Sequence, residues 1–391
     1  MPEYVVVVLG DIGRSPRMMN HAVCLSKLPN SRVHLVGYNE SPLFEELQKS
    51  NNVVIHKIRP FISLPRSLFF VYAPMKIFWL FLQLFFLIFT LPKFEMVIAQ
   101  NPPSIPTIPF CWLLRLIKGK RFVIDWHNLG WSILQCNKTS SIIVKFSRWL
   151  EYLTGRHSDR NITVTKTLKE HLKTQQIESF VVYDRPSALF KPSREARTRF
   201  SKELKIDEKS YWIMSSTSWT PDEEVSMILD AADILDKELA EKGVFITFII
   251  TGKGPGRRAF ESEVEGRNYS NIDFKFAFLS YEDYALLLGS CDAGVSLHVS
   301  SSGYDLPMKG LDMIGAGLPL LSVDYNCISE LVQDGVNGLL FANGSEFAER
   351  LRQIFVTRDI DIDNLRKGSV ESGEMKWEQI WDEQAKPVLI L

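Results

Sequence analysis

The chain opens on YVVVVLG, residues 4–10, an apolar run closed by glycine that reads as a buried strand. The recurrence of such runs constrains the fold most. Short β-branched stretches follow at 33–37, 53–58, 96–100, 121–125, 162–164 and 180–183, with helical stretches such as 16–28 and 142–152 between them. Parallel neighbours need a crossover, and helices of this length supply one, so the alternation predicts a doubly wound parallel α/β sheet.

At YDRPSALFKPSREAR the rhythm lapses over 185–193, then restarts at Trp212, with strands expected at 212–215, 244–251, 272–278, 294–299 and 320–323. At 391 residues, 46% of them hydrophobic, the chain exceeds what one core organises. The expectation is an N-terminal Rossmann-like domain over 1–185, a C-terminal one over 186–373, and a C-terminal helix over 374–391. Trp377 and Trp381, four apart, would dock that helix back on the N-terminal domain. TPDE at 220–223, with proline at the first helical position, and SYED at 280–283 read as capping boxes.

A net charge of −1 provides no global basic field, so nucleic acid is not an expected partner. Five scattered cysteines, none in a C-x-x-C pair, fit a reducing compartment and no disulfide framework. The first strand begins three residues after Met1, with no basic leader ahead of it.

Residues 67–91, SLFFVYAPMKIFWLFLQLFFLIFTL, carry Lys76 as their only charge. A membrane span needs about 20 apolar residues, so the stretch is marginal as one. The strands expected on either side belong to one sheet, so the chain cannot leave them on opposite sides of a bilayer. A buried core helix and a helix lying in the membrane interface remain. Apolar character nearly all round exceeds what one sheet face covers, which favours membrane contact.

Five segments carry chemistry. In GDIGRSPRMMNH, Gly10 and Gly13 make a tight turn, with Ser15 as N-cap and Pro16 at the first helical position. The helix start, with Arg14 and Arg17 beside it, suits a phosphate or pyrophosphate. In IDWHNLGW a strand delivers Trp126, His127 and Asn128 to the carboxyl edge of the sheet, where His127 would act as general base or hold a sugar hydroxyl. Trp126 or Trp131 would offer a stacking face. SSTSWTPDE (Ser216, Thr217, Ser218) and TGKGP (Gly252, Lys253, Gly254) follow strands of the second unit and gather at its carboxyl edge, where nucleotide phosphates would sit.

The fifth, SSSGYDLPMKGLDMIGAGLP, follows another strand and would form a helix of about ten residues, with Pro307 at its first helical position and Gly317 just past its C-cap. Met308, Leu311 and Gly315 would face the core. Lys309 and Asp312, three apart, share another face. They are either a surface ion pair or, with the amides of Ser301, Ser302 and Gly303, a nucleotide site in which Lys309 meets phosphate and Asp312 meets ribose. Asp305 lies just ahead of the helix.

At these residues the chain resembles two-Rossmann (GT-B) glycosyltransferases. In many of them a carboxylate five residues before the glycine of GLP binds the donor ribose, and Asp312 holds that position; Tyr304 stands where the upstream glutamate of their E-x7-E pair falls, one residue before Asp305. More closely, VVVLGDIGRSPRM, QNPPSIPT, DWHNLGWSI, SSTSWTPDEE, TGKGP and ISELVQDGVNGLLF are similar to the chitobiosyldiphosphodolichol β-mannosyltransferase family, in order along nearly the whole chain. The resemblance implies two facing Rossmann-like domains with a deep cleft between them. It also implies inverting, metal-independent transfer of the first mannose from GDP-mannose to GlcNAc2-pyrophosphoryl-dolichol, at the cytosolic side of the endoplasmic reticulum membrane, alongside other transferases of the pathway.

On this reading Lys309, Lys253 and the serine-loop amides offset pyrophosphate charge, Arg14 and Arg17 hold the lipid pyrophosphate, and His127, then Asp11, are the candidate bases. The alternatives are a GT-B transferase with another donor or acceptor, and a non-catalytic membrane scaffold of the same fold. A dehydrogenase is disfavoured, because no G-x-G-x-x-G follows a strand.

Overall fold

The computed structural model describes residues 1–61, 69–118, 120–220 and 223–390. The chain divides into two compact units, Met1–Tyr183 with Glu378–Leu391, and Asp184–Trp377.

The first unit carries β1 (Glu3–Asp11), β2 (Arg32–Tyr38), β3 (Val53–Lys57), β4 (Met96–Asn101), β5 (Arg121–Trp126), β6 (Arg160–Thr163) and β7 (Phe180–Val181), paired in parallel in the order β3-β2-β1-β4-β5-β6-β7. Tyr4 to Leu9 are all buried, as a strand covered by helices on both faces requires. Strand order reverses between β1 and β4. Helices Phe69–Thr90, Thr107–Lys118 and Ser141–Arg156 link β3 to β4, β4 to β5 and β5 to β6, and touch one another in series. Right-handed crossovers all advancing in that direction put the three helices on one face of the sheet.

The second unit repeats the plan with β8 (Tyr211–Ser216), β9 (Ile246–Thr251), β10 (Ile272–Ala277), β11 (Ala293–Ser296), β12 (Leu320–Val323) and β13 (Gly338–Phe341), parallel in the order β10-β9-β8-β11-β12-β13. Its order reverses between β8 and β11. β13 was not among the expected strands: four residues are too few to show a period, and its pairing with β12 alone defines it. The strand expected at 294–299 stops at Ser296, and His298 instead forms an isolated antiparallel bridge with Glu223.

Ser280 caps its helix as expected, its hydroxyl accepting from the Asp283 amide at 3.1 Å. The box expected at 220–223 does not form. The helix starts at Ser226 without a side-chain cap, and the Glu223 carboxylate turns to other partners; Pro221 and Asp222 lie outside the described residues.

Of the apolar stretch 67–91, Ser67 and Leu68 lie outside the described residues, and Phe69–Thr90 is one helix. Leu80 and Leu84 are buried, while Met75, Phe78 and Phe86 are exposed. Gln83 clamps the backbone of Arg59, accepting from its N–H at 2.8 Å and donating to its carbonyl at 3.0 Å. Among the described residues no helix is long and apolar enough to cross a membrane. At the C-terminus Trp377 and Trp381 are both buried, and the Trp381 indole donates to His21 Nδ1 at 3.0 Å, which fastens the last segment to the first unit.

Candidate functional site

Ligands of open α/β sheets bind outside the carboxyl ends of the strands, where strand order reverses. In the first unit that point is spanned by Ser15, whose hydroxyl donates to Gln100 Oε1 at 2.5 Å, from the turn after β1 to the end of β4. Pro16 starts the helix as expected. Gly13 is required by packing, because a Cβ there would meet the Ser41 and Pro42 carbonyls at 2.7 and 2.6 Å; Gly10 faces no such contact. Arg14 is exposed, with its Nε 3.6 Å from Asp11.

Asp11 is engaged at both oxygens. It accepts from the Glu40 and Ser41 amides at 3.0 and 3.1 Å and from the Ser41 hydroxyl. Partial burial works to raise its pKa, but these donors outweigh burial and hold the carboxyl below the usual range. Such a group pins the 40–41 loop and is a weak base.

Arg17 departs from the expectation of a phosphate ligand. Its side chain is 3% exposed and grips Asp125 with Nε and Nη2 at 2.9–3.1 Å while Nη1 donates to the Val182 carbonyl at 2.7 Å. The first-turn position that suggested a ligand points the guanidinium into the sheet edge. Trp126 is corrected likewise: it is fully buried, its Nε1 donating to Asn161 Oδ1 at 2.9 Å, and presents no face to a sugar. Trp131 is half-buried, with the Arg148 guanidinium 4.9 Å from its ring centroid.

His127 is placed as expected, at the end of β5 and partly exposed. Its Nε2 lies 3.2 Å from Asp125 Oδ2, an oxygen also 3.2 Å from His21 Nε2. Asp125 is fully buried, and burial alone would raise its pKa. Arg17, His127 and His21 outweigh that and hold it well below the carboxylate range. Burial pushes the His21 imidazole down, so it stays neutral, accepting from Trp381 at Nδ1 and turning Nε2 toward Asp125. The arrangement, a buried carboxylate orienting a partly exposed imidazole, is that of a general base with its positioning group. Asn128 turns its Oδ1 to the Leu129 amide at 2.6 Å.

Glu151 organises the same loop from below. Buried on helix Ser141–Arg156, it accepts from the Gly130 and Trp131 amides at 2.9 and 3.2 Å and from Asn101 Nδ2 at 2.5 Å. Burial raises its pKa against the pull of these donors.

In the second unit the reversal between β8 and β11 is bridged by Lys309, on helix Met308–Gly315. Its Nζ donates to Glu223 Oε1 at 2.6 Å and Ser218 Oγ at 3.0 Å. Glu223 Oε2 in turn accepts from Thr217 Oγ1, Ser218 N and Trp219 N at 2.5, 2.6 and 3.1 Å. The loop so held places buried Trp219 at φ +57°, a left-handed conformation that bulky residues rarely adopt. The loop after β9 presses on it: a Cβ at Gly252, where φ is +120°, would lie 1.9 Å from the Thr217 carbonyl, and one at Gly254 2.0 Å from that of Ser218. Both glycines are therefore demanded by contact, beyond an ordinary turn. Lys253 is exposed, its ammonium 3.6 Å from the Phe278 ring centroid.

Two expectations for the helix at 308 are corrected. Pro307 is its N-cap and Met308 is exposed, because the buried face is formed by Gly310, Leu311, Met313 and Ile314. Lys309 reaches Glu223, so the surface pair with Asp312 does not form. Asp312 is half-buried, and desolvation pushes its carboxyl well above the usual range against the pull of Lys309. Its charge also helps raise the phenols of Tyr281 and Tyr284, after burial. Ser216 donates to the Tyr284 hydroxyl at 3.0 Å.

The serine loop differs most. The Ser302 and Gly303 amides donate to Ser300 Oγ at 3.3 and 2.9 Å, the Tyr304 amide donates to Ser302 Oγ at 3.2 Å, and Ser300 Oγ donates to Asp305 Oδ1. Serine side chains compete for nearby backbone donors, so these amides are spent inside the loop. Ser301 is half-buried beside them, and Asp305 is the loop's own acceptor, with His298 Nε2 at 3.8 Å from its second oxygen.

Two parallel sheets, each with a polar cluster at its reversal point, make the chain a pair of Rossmann-like units. A family model, "Glycosyl transferases group 1", matches residues 196–367. The chitobiosyldiphosphodolichol beta-mannosyltransferase of Candida glabrata is 35% identical, over 96% of this chain and 88% of that one. The chain belongs to this mannosyltransferase family. A protein of Arabidopsis thaliana named UDP-glycosyltransferase TURAN is 34% identical over 98% of this chain and 96% of its own. Sucrose-phosphate synthase from Thermosynechococcus elongatus superposes with a TM-score of 0.74 over 98% of this chain and 97% of that chain, at 14% identity, a likeness of GT-B fold alone.

Four residues of these clusters carry no clear functional mark in the sequence: Glu223, Asp125, His21 and Glu151. In the sequence Glu223 reads as the capping residue of TPDE and Asp125 as the end of a strand. His21 and Glu151 lie on helix interiors and carry no sequence signal beyond a polar residue on a buried face.

Proposed function

We propose that the protein transfers mannose from GDP-mannose to a dolichol-linked chitobiose, forming a β-1,4 bond with inversion, at the cytosolic side of the endoplasmic reticulum membrane. The observation that carries the donor half is Lys309, a cation held across the reversal point of the second unit by Glu223 and Ser218. There Lys309 and the exposed Lys253 offset the charge on the departing diphosphate without a metal ion, and Asp312 receives the ribose hydroxyls. Ser218, the hydroxyls of Ser301 and Ser302, and the close-packed backbone at Gly252 and Gly254 shape the rest of the donor site.

In the first unit Asp125 orients His127, which takes the proton from the acceptor hydroxyl as the sugar bond breaks. Inversion needs a single displacement, so no enzyme nucleophile takes part. Exposed Arg14 is the cation left to meet the lipid pyrophosphate. Full-length kinship with the mannosyltransferases supports the acceptor and the transferred sugar.

A second donor is favoured by one observation, the name of the Arabidopsis relative. Purified protein given a phytanyl chitobiose acceptor in detergent, with radiolabelled GDP-mannose in one series and UDP-sugars in the other, separates the two. A β-linked trisaccharide from GDP-mannose alone is expected. Product from a UDP-sugar alone overturns the donor assignment, and tight GDP binding without product from any donor favours a scaffold.

A further inference from the structure

Helix Ser141–Arg156 has two faces of opposite character. Inward, Ser147, Glu151, Tyr152, Thr154 and Gly155 are buried. Outward, Ile142 is 77%, Phe146 54% and Trp149 57% exposed, in one stripe at spacings of four and three, with Ile143 beside it. The Phe146 and Trp149 rings lie 5.9 Å apart in solvent. Lys145 and Arg148 flank the stripe on the same helix, and Lys138 stands just ahead of it, all exposed; the Arg148 guanidinium is also 4.9 Å from the Trp131 ring centroid. The helix holds one carboxylate, Glu151, and it faces inward.

The neighbouring helices continue the pattern. Thr107–Lys118, packed between the other two, exposes Leu116 and Ile117, and Phe69–Thr90 exposes Phe78 and Phe86. From Arg59 to Leu150 the sequence has eleven lysines and arginines against two carboxylates, Glu95 and the buried Asp125, in a chain whose net charge is −1. A soluble partner with an apolar surface does not call for this excess. An anionic lipid surface does, because it pairs hydrocarbon for the aromatic stripe with negative headgroups for the flanking cations.

We infer that helix Ser141–Arg156 lies in the plane of an anionic bilayer, Ile142, Phe146 and Trp149 inserted among the acyl chains and Lys138, Lys145 and Arg148 at the headgroups. The consequence for the site is geometric. Glu151, on the opposite face, hydrogen-bonds the Gly130 and Trp131 amides of the loop that follows His127, so the helix that meets the lipid also fixes the loop beside the proposed base. The first unit would thus set the height of its carboxyl edge over the membrane through one rigid element. This inference concerns docking and stands whether or not the mannosyl transfer proposed above is correct.

Flotation of the full chain with phosphatidylcholine vesicles, with and without phosphatidylserine, tests it. The wild type floats, more strongly with phosphatidylserine. Phe146→Glu with Trp149→Glu abolishes flotation on both and leaves Tm unchanged, since both rings are exposed. Lys138→Glu with Lys145→Glu lowers binding to the anionic vesicles on the order of thirtyfold or more, at roughly fivefold per cation lost, and spares residual binding to the neutral ones. Flotation undiminished in both variants overturns the inference. So does light scattering that finds a dimer in the wild type and a monomer in the aromatic variant while flotation persists, which assigns the face to a second copy. Activity on a short-chain acceptor in detergent reads the transfer reaction separately: with Phe146 and Trp149 both glutamate it stays at the wild-type level, while the wild type's own inactivity there would count against the transfer reading and leave docking intact.

Discussion

Lys309 Nζ sits 2.6 Å from Glu223 Oε1, joining residues 86 positions apart across the reversal point of the second sheet. The two ends of this pair differ in what they support. Glu223 is 6% exposed and also holds three groups of the 217–219 loop, whereas Lys309 is one-third exposed and donates to Glu223 and Ser218.

Glu223→Gln should therefore destabilise the fold, by about 1.5–3 kcal/mol for loss of charged hydrogen bonds, as read by denaturant titration. Lys309→Ala leaves the buried Glu223 carboxylate without its cation, so it should also cost stability, by about 1–3 kcal/mol given the three donors Glu223 keeps, and should in addition weaken GDP binding roughly tenfold to a hundredfold. Calorimetry with GDP separates them, and unimpaired GDP binding by Lys309→Ala would remove the lysine from the donor site.

Asp312 has a folded-state pKa raised by burial, so the native state binds more protons than the unfolded chain once pH exceeds the ordinary value of about 3.9. Its contribution to stability falls as pH rises through the folded-state value. Asp312→Asn cannot ionise, so its Tm should exceed that of the wild type at neutral pH, with the gain vanishing below about pH 4. Donor affinity should drop at the same time. A neutral-pH Tm below the wild type would make Asp312 a structural acceptor.

Asp125 behaves in the opposite sense. Its depressed pKa contributes stability present above the ordinary aspartate range and lost as pH falls through the folded-state value. Arg17→Ala leaves that carboxylate buried without its main partner and should cost about 3–5 kcal/mol in denaturant titration, with the effect shrinking in acid. If the variant is as stable as the wild type and only its acceptor KM rises, Arg17 is a ligand after all.

His127→Asn should lower kcat roughly a hundredfold to ten-thousandfold with donor KM unchanged. Asp11→Asn should act on stability through the 40–41 loop and leave kcat near the wild-type level. The reverse pattern would exchange the two assignments.

Much of the fold was legible because the strands are apolar runs that recur between helices, and local composition is enough to mark such runs. β13 was not, since GLLF is a strand only through its partner β12. Among site residues, His127 and Lys309 fell where strand-edge position put them. Arg17 and Trp126 occupied equally suitable positions, and a sequence does not say which way a side chain turns at the end of a strand.

The sequence by itself determined the alternation of strand and helix, the two-unit plan, the family and the candidate edge loops, all of which follow from local pattern. Only tertiary structure decided the pairing of charges. Arg17 with Asp125, Lys309 with Glu223 and Trp381 with His21 join residues 108, 86 and 360 positions apart. A charge near a helix start serves a ligand or the core according to what the fold brings opposite it, because a buried ion is tolerated only beside its partner.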